Sequence, residues 1–188
     1  MKAKLVQEVY NSLLDLINEY TPFDCSFITN TKEYKDLNDY FKSFFGESFK
    51  YQDIKKLYHN CYLYDSYIIK FNCKKTPKEI LDIPEVVKTY YRNNFKFEYN
   101  NKVLYLGVEI QDYIKEYTKC NEEELYEVYV SLRRKGYEWI DVSSGNVFKV
   151  NNEFKIIDSD YIYPEGQANY INESKLSKQF REQYKKEN

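Results

Sequence analysis

Four polar side chains stand among neighbours that look buried. Asp141 and Asn146 bracket a serine-glycine turn in "DVSSGN", Asp158 ends the apolar run "FKIID", and Lys70 interrupts "YIIKF". A charge placed beside apolar strands works against desolvation, so each of these groups needs an opposite charge or hydrogen-bond partners to offset that cost. Taken singly, each has a plain packing account. The Asp141 and Asn146 pair caps a turn, Lys70 snorkels from an edge strand, Asp158 caps a strand end, and Ser143-Ser144-Gly145 is an ordinary turn. Their conjunction needs an explanation that the single readings do not supply.

The elements that must position them can be read from periodicity. Apolar residues at Leu5, Val9, Leu13, Leu16, Ile17 and Tyr20 predict a first helix, ended by Pro22. A second helix is predicted over Thr31 to Phe45, with the stripe Tyr34, Leu37, Tyr40, Phe41, Phe44 and Gly46 as its cap. No Gly/Pro/Ser linker follows, so these helices should dock on what comes next. "NCYLYDSYIIKF" reads as a hairpin turning at Asp65-Ser66. Thr76 with Glu79 fits a capping box with Pro77 in the first helical position, and Pro84 should begin a short helix ending near Arg92. "FKFEY" and "KVLYLGVEI" flank Asn100-Asn101 as a further hairpin. The clearest helix starts at Asn121, with acids in its first turn, Arg133 and Arg134 in its last, and Gly136 just beyond. The apolar pair "NVFKV" and "FKIID" follows as strands, and Asn172 to Lys186 closes the chain as a helix through Leu176, Phe180 and Tyr184.

Composition narrows the classes. A chain of 188 residues with 43% hydrophobic content has enough apolar material for one domain or two small lobes. Its 22 tyrosines bury rings while keeping hydroxyls that need partners. A net charge of −2 gives no basic face for nucleic acid. Cys25, Cys61, Cys73 and Cys120 form no CxxC pair, and the single histidine, His59, has no cysteine at metal-ligand spacing, so His59 reads as a hairpin residue without a role. The charged start "MKAKLVQEVYNSLLDLINEY" matches neither a signal peptide nor a membrane span, and reduced thiols in a cytoplasmic protein are the expectation.

"LRRKGYEWIDVSSGNVFKVNNEFKIIDSD" resembles the core of the protein-kinase-like superfamily, in which a loop of form H-R-D-x-x-x-x-N is followed by a strand pair and D-F-G. Asp141, Asn146 and Asp158 fall at the matching positions, and "YIIK" resembles the strand motif V-A-I-K, which makes Lys70 the matching lysine. The resemblance spans about Phe49 to Tyr163. It implies an α+β, minimal two-lobed kinase-like fold: an N-terminal helical extension (1–48), an N-lobe with an antiparallel sheet (49–110), and a reduced helical C-lobe (111–188). It implies ATP and Mg²⁺ as cofactors. Asp158 and Asn146 would hold the metal, Asp141 would orient an acceptor hydroxyl and take its proton, and Lys70 would contact the α and β phosphates. Lys70 would pair with a helix glutamate, Glu85 or its rival Glu79, and backbone groups near Glu109 and Ile110 would meet the adenine.

Several positions depart from that pattern. Trp139-Ile140 stand where the family has H-R, D-F-G reads Asp158-Ser159-Asp160, and no glycine-rich loop precedes Lys70. The stretch after Asp158 is too short for the large helical lobe of protein-phosphorylating members. The implied activity is therefore that of a small-molecule, sugar or atypical kinase, with a nucleotide and a hydroxyl-bearing small molecule or protein as partners. The alternative is a pseudokinase that binds nucleotide and a partner; a third is an interaction protein whose aromatic surface does the work. Neither the oligomeric state nor the acceptor is encoded in a recognisable motif.

Overall fold

In the computed structural model, which describes residues 32–50, 53–58, 61–72, 79–99 and 102–187, the aromatic and β-branched stretches of the front half become strands. The predicted first helix, the Thr76-Pro77 start, His59 and the Asn100-Asn101 turn lie outside the described residues. The protein is α+β, and its strands pair antiparallel. It divides into two compact units, Met1–Ile80 with Thr89–Tyr113 and Leu81–Lys88 with Ile114–Asn188. Among the described residues no helix is long and apolar enough to cross a membrane.

The first unit holds strands β1 (Lys55–Tyr58), β2 (Cys61–Tyr64), β3 (Tyr67–Asn72), β4 (Thr89–Tyr99) and β5 (Lys102–Asp112), in the spatial order β1-β2-β3-β5-β4. The β2–β3 turn falls at Asp65-Ser66 as predicted, with Asp65 at φ 53°. Helix α1 (Lys32–Phe45) docks on this sheet through its aromatic face. Phe41 is fully buried, the Tyr40 ring stacks on Tyr91 at 3.7 Å, and Phe45 meets Tyr64 at 4.7 Å. Such ring pairs add about 0.5–1.5 kcal/mol each beyond the area they bury. The helix is thus docked within the sheet's own unit.

The helices predicted between Glu79 and Arg92 do not form. Glu79 to Ile83 have no regular structure, Pro84 and Glu85 make a turn, and β4 already begins at Thr89. The reason is tertiary. Ile156 N–H donates to the Glu85 carbonyl at 2.6 Å and Val87 N–H to the Ile156 carbonyl at 2.9 Å, so this segment lies alongside a strand. The β-branched Ile83, Val86 and Val87 suit that extended backbone, and Pro84 disfavours helix at the residue before it. These bonds also make Leu81–Lys88 part of the second unit, although the resemblance assigned it to the N-lobe.

The second unit is built on helix α2 (Glu122–Arg134). Its start is a capping box: Asn121 Oδ1 accepts from Glu124 N–H at 2.9 Å, and Glu124 Oε2 accepts from Asn121 N–H at 3.0 Å. Leu125, Val128, Tyr129 and Leu132 face a core shared with Trp139, Val147, Ile156 and Ile162. Gly136, at φ +80°, takes the left-handed turn that leads into β7 (Tyr137–Trp139). Two small sheets follow, β10 (Ile162–Pro164) on β7, and β6 (Thr118–Lys119), β8 (Val147–Val150) and β9 (Glu153–Ile156) in the order β6-β8-β9. Helix α3 (Lys175–Glu187) seals the unit with Phe180, whose ring lies 5.1 Å from that of Tyr126.

Candidate functional site

Asp141, Asn146 and Asp158 are held by one backbone framework. In the β8–β9 hairpin Val147 faces Ile156, and the next rung outward is the 2.9 Å bond from Ile157 N–H to the Asn146 carbonyl. That register brings Asn146 and Asp158 to the same end of the hairpin. Asn146 N–H closes the preceding turn onto the Ser143 carbonyl at 3.0 Å. On the other side, Trp139 faces Ile162 in the β7–β10 pair, and Ile140 N–H donates to the Tyr161 carbonyl at 3.1 Å. The loop carrying Asp141 and the loop following Asp158 are therefore tied together at that end of both sheets. Asp141, Asn146 and Asp158 are all half-buried. Asp158 Oδ1 accepts from Asp160 N–H at 3.3 Å, which gives the Asp-Ser-Asp sequence a local turn-holding contact.

Trp139 and Ile140 explain their own departure from the H-R pattern. They are 2% and 3% exposed, and Trp139 belongs to the core under α2. Apolar packing anchors this strand end in place of polar bracing. One residue earlier, Glu138 is a buried carboxylate accepting from Arg133 Nη1 at 2.9 Å, from the Tyr170 hydroxyl, and from Gly166 and Ala168 N–H at 3.1 and 3.3 Å. Burial pushes its carboxyl up, but the bonds from Tyr170, Arg133 and the two amides outweigh burial and hold it below the usual carboxylate range.

Lys70 lies in the first unit, where the register sets it opposite Glu109, and Glu109 opposite Arg92. Lys70 Nζ is 3.1 Å from Glu109 Oε1, and Arg92 Nη2 pairs with Glu109 Oε2. The side chains are 13%, 6% and 2% exposed in the order Lys70, Glu109, Arg92. Arg92 Nη1 also donates to the Glu79 carbonyl at 3.3 Å. Two cations thus flank one carboxylate across three neighbouring strands.

This arrangement corrects two expectations. The carboxylate on Lys70 is Glu109 from β5, not a helix glutamate. Glu85 belongs to the second unit, where its Oε1 accepts from Ser131 Oγ at 2.6 Å and from Lys135 Nζ. Burial alone would raise the Glu85 carboxyl, yet those two partners hold it below its ordinary value. Glu109 and Ile110 are also poor adenine contacts through their backbone. They lie inside β5 with β3 on one side and β4 on the other, so their main-chain groups belong to the sheet. Glu109 enters the candidate site through its side chain instead. The available signal was limited to Lys70 and Glu109, opposite charges that each interrupt a β-patterned apolar stretch, and Arg92, before Asn93-Asn94, gave none.

Asn146 and Asp158 supply an amide and a carboxylate oxygen, the hard donors that suit magnesium, an ion bound through one or two carboxylates with water and phosphate filling the rest. Among the described residues no three His, Cys, Asp or Glu side chains gather as an all-protein cation cage. No protein-family model, no curated protein and no solved structure matches the chain.

Proposed function

We propose that this protein is an ATP- and Mg²⁺-dependent phosphotransferase of kinase-like plan that moves a phosphoryl group to a hydroxyl of a small-molecule, sugar or protein acceptor. The observation that carries the reading is the sequence of parts in the second unit. Strand β7 leads to Asp141, the turn to Asn146, the β8–β9 hairpin to Asp158, and β10 pairs back onto β7. That order brings the residue types that a base and a hard-cation site call for onto one hydrogen-bonded backbone framework. The five-stranded sheet with Lys70 on its third strand supports the same plan.

In this reading Asp158 and Asn146 hold the metal, which when bound neutralises charge on the phosphate oxygens. Asp141 accepts the hydroxyl proton as the acceptor oxygen bonds to the γ-phosphorus and the bond to the β–γ bridging oxygen breaks, leaving ADP. Lys70 supplies positive charge to the phosphates, and Glu109 keeps that ammonium in place.

The test is thermal stability with Mg²⁺ and ATP in the wild type and in Asp158→Ala. Nucleotide at about a hundred times its dissociation constant should stabilise the wild type by roughly 2.7 kcal/mol, and the variant much less. An unmoved wild type would sink the reading. Asp141→Asn should keep the stabilisation and lose transfer. A second reading, a nucleotide-binding pseudokinase, draws on Trp139 and Ile140 standing in the core where polar bracing would otherwise act. Stabilisation with no turnover on any hydroxyl acceptor or on water would favour it.

A further inference from the structure

The segment that carries Asp141 is held on both sides by the start of helix α3, and that clamp has no counterpart in the sequence motif. Ser174 N–H donates to the Ile140 carbonyl at 2.8 Å, immediately before Asp141. Immediately after it, Val142 N–H donates to Ser177 Oγ at 2.8 Å, and Ser174 Oγ donates to the Val142 carbonyl at 3.3 Å. The two hydroxyls lie 2.8 Å apart, and Ser177 N–H donates to Ser174 Oγ at 3.1 Å. Ser177 is completely buried, so its hydroxyl is an internal fixture and not a surface cap.

We infer that Ser174 and Ser177 are positioning residues for Asp141, replacing from the C-terminal helix the bracing that Trp139 and Ile140 do not give. The inference rests on the phosphotransferase reading for its functional consequence, and on the hydrogen bonds alone for its structural one. A helix start normally satisfies its free N–H groups with its own cap. Here Ser174 does that for Ser177 N–H and also joins the loop, while Ser177 takes up the amide that follows Asp141. The carboxylate of Asp141 is thereby fixed at its backbone, with the preceding Ile140 amide held by Tyr161. A base must lie within hydrogen-bond reach of the proton it takes, and a displacement of about 1 Å can lower turnover about a hundredfold.

Ser177→Ala removes the acceptor for Val142 N–H and leaves the Ser174 cap in place. Ser174→Thr keeps the hydroxyl and serves as the conservative variant. Tyr184→Leu weakens α3 at its far end, away from the loop, and controls for loss of helix stability. Two measurements are made below each variant's melting temperature. Amide hydrogen exchange over residues 140–146 reads the clamp, and steady-state turnover with Mg²⁺ and ATP, using a hydroxyl acceptor or water, reads its consequence. Ser177→Ala should speed exchange in the loop and lower kcat about ten- to a hundredfold with KM for ATP unchanged. Ser174→Thr should behave as wild type, and Tyr184→Leu should lower the melting temperature without that kcat loss. Unchanged loop exchange in Ser177→Ala would overturn the clamp. Equal kcat losses in Ser177→Ala and Tyr184→Leu would overturn the positioning role. A wild type without turnover would count against phosphotransfer instead, and loop exchange would then decide the clamp by itself.

Discussion

Lys70, Glu109 and Arg92 hold one another, whereas Asp141, Asn146 and Asp158 sit on loops held by main chain. In the strand unit, fixed register across three strands sets charge against charge away from water. In the helical unit, acids stay half-buried and the precision comes from backbone bonds at hairpin ends. The difference teaches where each region is vulnerable. The triad fails when its one carboxylate is removed, because both cations lean on it, and it tolerates the loss of Lys70, since Arg92 still pairs with Glu109. The acid-bearing end tolerates loss of a side-chain charge and fails when its loops shift.

The largest effect should follow Glu109→Ala, which takes the carboxylate away from between buried Arg92 and half-buried Lys70. Unfolding in urea should show a loss of about 3–5 kcal/mol. A loss under about 1 kcal/mol would mean that the triad is wetter than its burial indicates and would break the contrast. Acid comes next. Glu138 and Glu85 both have folded-state carboxyls held below the ordinary value of 4.5. Their stabilisation is therefore fully present above that value and is lost as pH falls through the lower folded values. Melting curves taken downward from neutral pH should show this decline, and Glu138→Gln should be less stable at neutral pH and show a shallower decline. A slope identical to wild type would remove Glu138 from the account. Lys70→Met should cost only about 1 kcal/mol, since Arg92 still pairs with Glu109 and the apolar chain fills the space. The smallest effect should be that of Asp158→Asn, within about 0.5 kcal/mol in the absence of nucleotide. A large loss there would show that Asp158 is structural and would weaken its assignment as a metal ligand.

The sequence carried the parts whose signals are local. Helix α2 showed its caps, its charges and its stripe together, and the structure places it at Glu122–Arg134. The β2–β3 and β8–β9 hairpins were visible from turn residues between apolar runs, and α1 and α3 from their stripes. The stretch from Glu79 to Arg92 was not legible, because Pro84 imitates a helix start while the deciding bonds run to Ile156, far along the chain. The same limit hid Glu109 as the partner of Lys70. A cross-strand pair depends on which strands become neighbours, and β5 lies beside β3 only after β4 has been placed on the outside. Strands β7 and β10 have three residues each and too little periodicity to announce themselves, yet their pairing ties the Asp141 loop to the segment after Asp158. The Ser174 and Ser177 clamp is also long-range, joining residues 32 and 35 positions apart in the chain.

The far turn of the β8–β9 hairpin consists of Asn151 and Asn152, both left-handed at φ 49° and 65°. Asparagine is among the few side chains that accept that conformation without a large strain, and two in succession form the tightest connection two antiparallel strands can have. This turn lies four residues from the acid-bearing end, about 13 Å along the strands, and touches none of the candidate site residues. It nevertheless dictates which residues meet there, because a register slip of one position would replace Ile157 as the residue facing Asn146 and turn every β9 side chain to the other face. Length at this remote turn is therefore under the same constraint as chemistry at the site. An inserted residue, harmless in most surface loops, would here act as a mutation of Asn146 and Asp158 at once.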